Sequence, residues 1–354
     1  MNAKATSPTR ITALAVRARK GSVPLVMITA YDAPGARIAH RAGADMILVG
    51  DSLAMVVLGY DDTLQVTIDD MAHHTAAVHR GLQASVQSGA EAARPLLVGD
   101  LPWMSYHTGT EDAVRNAAAL VRAGADCVKL EGGSKRIRVI EAIVDAEIPV
   151  MGHIGLTPQS VNAMGGFKVQ GRQLGEAEAL LADARALEAA GCFAIVIEGV
   201  PDALARAITE TISIPTIGIG AGPACDGQVL VFHDLLGLED RLTPKFVRRY
   251  AELGSLAVEA VAAFAADVRS GAFPSVGESY AASAALTAAL TVSTSAPAST
   301  ADVELRIEVA ALATTVAETS QPRVVVDAST TAERRLSDEA EEFLAGLYGG
   351  PLRY

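Results

Sequence analysis

Three stretches of the chain repeat one phrase: His40-Arg-Ala-Gly-Ala-Asp-Met-Ile-Leu-Val-Gly-Asp-Ser52, Val121-Arg-Ala-Gly-Ala-Asp-Cys-Val-Lys-Leu-Glu-Gly-Gly133 and Glu188-Ala-Ala-Gly-Cys-Phe-Ala-Ile-Val-Ile-Glu-Gly-Val200. Each carries a helical pattern to a stop at glycine and opens a short, largely apolar strand. Gly43, Gly124 and Gly191 lie too far apart for a solenoid repeat, so the intervals hold further strand-helix units. Outward from these anchors, strands are expected at Leu25–Thr29, Met46–Val49, Leu96–Gly99, Cys127–Leu130, Pro149–Gly152, Ala194–Ile197, Pro215–Ile219 and Gln228–Phe232. Helical patterns between them have recognisable starts. The capping box Thr67-Ile-Asp-Asp70 is one, and Thr243-Pro244 is expected to open a long Ala-rich helix reaching towards Arg269.

Strand and helix alternating over ~250 residues predict an α/β fold, a closed parallel (β/α)8 TIM-type barrel. An open doubly wound sheet ranks second, because no GxGxxG follows the first strand. The expected organisation is an N-terminal segment, 1–20, a catalytic barrel, 21–280, and a C-terminal low-complexity extension, 281–354, expected to move. That extension reads as an Ala/Ser/Thr-rich linker followed by an acidic tail, with ordered candidates at Val303–Ala313 and Leu336–Leu347.

Half of the 354 residues are apolar and only 4% aromatic, so the core must be built from aliphatic side chains. The formal charge of −12 disfavours a nucleic-acid partner, and both parts share it: 24 Lys+Arg stand against 31 Asp+Glu in residues 1–280, and 5 against 10 beyond. Cys127, Cys192 and Cys225 form no CxxC pair, which points to a reducing compartment, the cytoplasm by default. The apolar run Ile11 to Val16 is too short for a secretory leader, and no stretch has the apolar length of a bilayer span.

Barrel enzymes carry their chemistry at the carboxyl ends of the strands. There the sequence places Asp51, Asp100, Glu131, His153 and Glu198. Neighbouring strands lie ~4.8 Å apart, so Asp51, Asp100 and Glu131 are expected to converge. Clustered carboxylates in a buried mouth call for a cation or bound protons. All-oxygen ligation favours Mg2+, and zinc is disfavoured because no His or Cys pair has ligand spacing. Lys129 and Glu131 share one side of a strand, which turns Val128 and Leu130 towards the helices. His153 alone among the histidines ends a strand and is read as support for the site; His73, His74 and His79 fall on a helix and are read as a solvated or subunit-contact face rather than a metal site.

These residues sit in segments that closely resemble the ketopantoate hydroxymethyltransferase family, whose substrate is 3-methyl-2-oxobutanoate. The carriers are Ile47-Leu-Val-Gly-Asp-Ser-Leu53, Val57-Leu-Gly-Tyr60, Val98-Gly-Asp-Leu-Pro102, Val128-Lys-Leu-Glu-Gly132, Gly152-His-Ile-Gly-Leu-Thr-Pro-Gln159, Gly165-Gly-Phe-Lys-Val-Gln-Gly-Arg172, Ile217-Gly-Ile-Gly-Ala-Gly222 and Asp226-Gly-Gln-Val-Leu-Val231. The resemblance implies a Mg2+ held by Asp51 and Asp100, with Glu131 completing the site directly or through water. It implies keto-acid contacts from Asp51, Ser52, Asp100 and Lys129, and Glu198 as proton acceptor. It also implies 5,10-methylenetetrahydrofolate as one-carbon donor, a place in pantothenate biosynthesis, and a large homo-oligomer, commonly a decamer. Departures are few. Leu82 to Ala93 looks longer than usual but lies at the far face of the barrel, Gln65 stands where Pro is usual, and Gly199 stands where Cys is frequent beside Glu198.

Other readings remain open at this level. Lys129 suits a Schiff-base aldolase, although nearby carboxylates would keep it charged. Strand-end acids also suit a Mg2+-dependent lyase or mutase of the phosphoenolpyruvate/pyruvate barrels. A catalytically silent barrel that recruits a partner through its tail belongs to another class.

Overall fold

The computed structural model describes residues 10–294 apart from Glu91 and Leu242; the ordered candidates Val303–Ala313 and Leu336–Leu347 lie outside the described residues. Eight strands are formed: β1 Leu25–Thr29, β2 Met46–Val49, β3 Leu96–Asp100, β4 Cys127–Lys129, β5 Val150–Gly155, β6 Ala194–Glu198, β7 Thr216–Ile219 and β8 Gly227–Leu230. They close into one parallel barrel in chain order, with β8 returning to β1 through Val26↔Gln228 and Met27↔Val229. Alternation along each strand divides the core into two shells. Leu25, Met27, Met46, Leu48, Leu96, Val98, Cys127, Met151 and Val196 fill the interior. Ile47, Val49, Leu97, Val128, Leu130, Ile195 and Ile197 pack outward among the helices. Because both faces are buried, the strands read as nearly continuous apolar runs.

The two ends of the barrel carry carboxylates of different kinds. At the amino end, the Asp of the repeated phrase reaches across to an adjacent strand and accepts a hydrogen bond from its backbone. Asp45 Oδ2 accepts from the N–H of Val26 at 2.8 Å, and Asp126 Oδ2 from the N–H of Leu97 at 2.9 Å. Asp226 Oδ2, just before β8, accepts from the N–H of Thr216 at 2.9 Å. Each is also paired with a cation: Arg19 with Asp45, Arg94 and Arg10 with Asp126, and Lys20 with Asp226. Phe193 stands at this position in the third copy and packs in the interior instead. The short helix Ala13–Arg17 contributes Ala13 and Val16 to the interior cluster.

Three expectations are corrected. β7 and β8 are joined by residues 220–226 without a helix. The direct return is possible because these strands overlap only through Ile217↔Gly227 and Gly218↔Gln228. The long helix begins at Leu253 and runs to Ser270, well past Thr243. Arg249 donates to the Thr243 hydroxyl at 2.9 Å, while the N–H groups of Tyr250 and Leu253 donate to the carbonyls of Leu235 and Leu236. With its N–H bonded to Leu235, Tyr250 cannot sit in the interior of a helix begun at Thr243, whereas Leu253, whose N–H would be unpaired at a helix start, opens the helix observed. Finally, β5 continues to Gly155, and β3 and β6 each run one residue past the expected end, so Asp100, His153 and Glu198 belong to strands. In the other direction, β8 ends at Leu230 and Phe232 opens a short helix.

Two compact units divide the chain after Val258. The first holds the barrel. The second holds, among its described residues, the remainder of the helix Leu253–Ser270 and the helix Ala284–Thr294. No helix among the described residues is long and apolar enough to cross a membrane.

Candidate active site

The carboxyl end of the barrel gathers side chains from five successive strands around one buried floor. Asp100 ends β3 and sits beside Lys129 of β4, its register partner. The Lys129 Nζ lies 2.8 Å from Asp100 Oδ2, and the same oxygen accepts from the N–H of Asp51 at 3.2 Å, just past β2. Glu131 lies two residues beyond Lys129 and, as strand alternation requires, on the same side, whereas Val128 and Leu130 face the helices. Asp51, Asp100, Lys129, Glu131 and His153 are all 5% exposed or less.

The charge balance of this floor is unfavourable as it stands. Burial, then the charges of Asp100 and Glu131, push the Asp51 carboxyl well above the ordinary carboxylate range. Asp100 is raised too, because burial outweighs the help of Lys129. Lys129 is pushed the other way: burial favours its neutral form, but Asp100, Glu131 and Asp51 together outweigh burial and hold the ammonium charged.

A cation would relieve this strain, and the donor set suits one. Asp100 Oδ1 and Glu131 Oε1 are buried and have no hydrogen-bond partner, an arrangement native proteins rarely leave unexplained. The free carboxylate atoms are oxygens, which suits a hard cation, while His153 Nε2 is likewise buried without a hydrogen-bond partner and faces Glu198. Among the described residues no trio of His, Cys, Asp or Glu closes a cage around one point. Each acid has its other oxygen tied, Asp100 Oδ2 to Lys129, Asp51 Oδ2 to the amide of Gln159 and Glu131 Oε2 to the N–H of Gln159. The protein offers a partial set of ligands that water and substrate oxygens would complete, as Mg2+ sites ordinarily are.

Glu198 stands apart from this floor. It ends β6, and its side chain is 16% exposed, more open than the floor acids. His153 lies between the two, with Nε2 at 3.3 Å from Glu198 Oε2 and Nδ1 at 3.5 Å from Glu131 Oε1. Lys129 Nζ also lies 3.5 Å from Nδ1. Burial and Lys129 lower the histidine's pKa, but the neighbouring carboxylates of Glu131 and Glu198 outweigh them and raise it to about 9. Held protonated, the ring carries a hydrogen on each nitrogen, and Nε2 faces Glu198 Oε2 without completing a hydrogen bond to it. Gly199 follows at φ +54, and its N–H is anchored to the carbonyl of Ile219 at 2.9 Å.

A cavity of about 1030 Å³ opens over these groups, at the upper end of the range for small-molecule sites. Asp51, Ser52, Asp100, Lys129, Glu131, His153 and Glu198 all line it. Apolar walls come from Leu48, Leu156, Val196, Val200, Ile219 and Phe246. Every residue singled out from the sequence therefore meets in one place.

Sequence reasoning missed the residues that hold these in position. Gln159, in the loop after β5, touches both Asp51 and Glu131; Tyr106 hydrogen-bonds Gln159, and Tyr31 Oη lies 2.9 Å from Ser52 Oγ. Tyr31 follows the end of β1, a signal the strand-end rule offered. Gln159 stands in the quoted Leu-Thr-Pro-Gln run, but nothing local marks which acids it reaches. Of the helical histidines only His73 is exposed; His74 and His79 are half-buried and pack within the chain rather than on a solvated face, with His74 Nδ1 2.7 Å from the carbonyl of Tyr31 and the His79 ring over Gly124, where an added Cβ would come within 2.4 Å of it.

Comparison with known proteins agrees with this assembly. A sequence profile of the family described as ketopantoate hydroxymethyltransferase matches residues 9–276. A 3-methyl-2-oxobutanoate hydroxymethyltransferase from Oleidesulfovibrio alaskensis is 57% identical over 271 residues, covering 76% of this chain and 90% of its own. Another of that name from Clostridium acetobutylicum is 55% identical over 257 residues, covering 72% and 90%. A phosphonopyruvate hydrolase structure gives a looser likeness, with a TM-score of 0.48 at 16% identity over 76% of this chain and 93% of its own. The profile match and the two close relatives span the barrel from end to end, and the chain belongs to the ketopantoate hydroxymethyltransferase family.

Proposed function

We propose that the chain transfers the one-carbon unit of 5,10-methylenetetrahydrofolate to 3-methyl-2-oxobutanoate: the third carbon bonds to the folate methylene, and water then supplies the hydroxyl oxygen and releases tetrahydrofolate, giving ketopantoate for pantothenate synthesis. The observation that carries this reading is the pairing of a buried oxygen-rich floor, Asp51, Asp100 and Glu131 with Lys129, with a more open carboxylate, Glu198, lining the same cavity. Asp51 and Asp100 would hold Mg2+, with Glu131 direct or through water. When bound, the ion supplies a Lewis acid that spreads the negative charge of the deprotonated keto acid.

The chain's own groups supply the rest. Lys129 is held charged by its acids and offers N–H donors to the keto acid's carboxylate. Ser52, fixed by Tyr31, offers a hydroxyl beside it. Glu198 takes the proton from the third carbon, and the protonated His153 ring, with Nε2 at 3.3 Å, keeps a positive charge beside its carboxylate. The apolar walls keep water from the exposed carbanion while the folate methylene is in reach.

Glu198→Gln tests the assignment. Exchange of the C3 proton of 3-methyl-2-oxobutanoate into deuterated water, followed by NMR with Mg2+ present, should fall by about 10²-fold or more. Mg2+ binding should stay within a few-fold of wild type. Undiminished exchange would remove Glu198 from the proton-transfer role.

Two further features of this reading concern the whole protein. Assembly into a homo-oligomer, a decamer in the family pattern, is supported by Leu256, Val258, Val261, Phe264 and Val268 on the helix Leu253–Ser270, all exposed apolar side chains. A cytoplasmic setting is supported by three free, buried cysteines.

A further inference from the structure

Gln159 is buried between two acids that follow different strands, holding one with its side-chain amide and the other with its backbone N–H. Its side chain is 4% exposed. Nε2 donates to Asp51 Oδ2 at 2.9 Å and to the carbonyl of Leu101 at 3.0 Å, while its own backbone N–H donates to Glu131 Oε2 at 3.0 Å. Both partners of Nε2 are pure acceptors, so only the NH2 end of the amide can face them. The other end is fixed as firmly: Tyr106 Oη donates to Gln159 Oε1 at 2.6 Å and accepts from the N–H of Glu131 at 3.2 Å. A flipped amide would set its oxygen against a carboxylate and a carbonyl, and the tyrosine hydrogen against an NH2.

This bonding decides which carboxylate oxygens are spare. Glu131 has Oε2 occupied by the Gln159 backbone and Oε1 left without a hydrogen-bond partner. Asp100 has Oδ2 occupied by Lys129 and Asp51, and Oδ1 left over. On Asp51 it is Oδ2 that the amide holds. We propose that Gln159, with its amide locked by Tyr106, is a positioning residue for divalent-cation binding: it ties one oxygen of Asp51 and one of Glu131 so that the remaining oxygens are presented to the ion. The proposal rests on the reading of these acids as a Mg2+ site. Gln159 itself touches neither substrate nor ion in this role.

The test is titration of the full chain with Mn2+ alone, no keto acid or folate present, followed by electron paramagnetic resonance of the free ion. Wild type, Gln159→Met, Tyr106→Phe and the double variant form a cycle, with a thermal melt of each to establish folding. Gln159→Met should weaken Mn2+ binding by about 10- to 100-fold, the usual cost of losing a hydrogen-bonding partner of a metal ligand. Tyr106→Phe should weaken it by roughly tenfold or less, the worth of one neutral hydrogen bond. In the Gln159→Met background Tyr106→Phe should cost less than it does in wild type, because the part of its effect carried through the amide is already lost and only its bond to the Glu131 N–H remains. A merely structural role would lower the melting temperature without this coupling. Mn2+ affinity of Gln159→Met within twofold of wild type, or additive losses in the cycle, would overturn the proposal. If Gln159→Met does not fold, Tyr106→Phe decides alone: weakened binding in a folded protein supports the lock, and unchanged binding overturns it. A wild-type protein that takes up no Mn2+ would instead overturn the cation reading, and the proposal with it.

Discussion

Lys129 is the residue on which two chemistries part. An imine-forming lysine must lose its proton near neutral pH, and burial alone would encourage that. Here Asp100 Oδ2 lies 2.8 Å from Nζ, and three acids outweigh burial, so the ammonium persists. Incubation with 3-methyl-2-oxobutanoate and borohydride should therefore leave the intact mass unchanged, and a mass increment mapping to Lys129 would restore the aldolase reading. The same pair shows what was legible from sequence at this scale. Asp51, Asp100, Lys129, Glu131, His153 and Glu198 were readable because each sits at or next to a strand's carboxyl end, where alternation and barrel closure dictate convergence. Gln159, Tyr106 and Tyr31 were not singled out. Gln159 and Tyr106 lie in loops, and their roles arise from hydrogen bonds across separations such as the 53 residues from Tyr106 to Gln159, which no local pattern encodes.

Among elements, the strand ends show why similar acids serve different purposes. The Asp of each Gly-Ala-Asp phrase caps an adjacent strand at the amino end, and Asp226 does the same for β7. Asp226 is also held by Lys20 Nζ at 2.9 Å and by the N–H of Gly21 at 2.8 Å. Burial opposes its charge, but these donors prevail and hold the carboxyl below its ordinary value of 3.8. A carboxyl depressed in the folded state contributes stability that is present above the unfolded pKa and is lost as pH falls through the folded one. Asp226→Asn should then cost about 1–3 kcal/mol at neutral pH. In urea melts that difference should shrink steadily below about pH 4; a gap independent of pH would show that the charge is irrelevant to the cap. The strands themselves were legible to within three residues at either end, because apolar runs between glycine stops leave few alternatives. The helix expected at Thr243 was not, since the Tyr250 amide that displaces its start bonds to Leu235 in another segment. Nor was the helix-free β7–β8 link, which depends on how little those two strands overlap.

At the scale of the molecule, the floor of the site works against the closure of the barrel that creates it. Asp51, Asp100 and Glu131 come from the ends of three consecutive strands, and closing the ring forces their charges together in a buried space. Lys129 offsets part of this, yet burial and the other acids still push Asp51 well up. In the unfolded chain the same acids are far apart and solvated, so a divalent ion that spans them binds the folded state alone. If these acids hold Mg2+ as proposed, mass action makes the ion a stabiliser of the whole barrel. At a magnesium concentration about 100 times its dissociation constant the gain is ~2.7 kcal/mol. For a folded unit of ~250 residues each kcal/mol moves the melting temperature by ~2–4 °C, so the expected rise is roughly 5–10 °C over the chelator-treated protein. Matched ionic strength supplied as sodium chloride separates this from screening, which relaxes repulsion without bridging the strands. Asp100→Asn keeps the shape of the side chain while removing the charge the ion needs. It should melt at nearly the same temperature with and without Mg2+, because the substitution both relieves the repulsion and removes the reason for the ion to bind. A magnesium-dependent rise as large in Asp100→Asn as in wild type would place the stabilising ion elsewhere on the molecule.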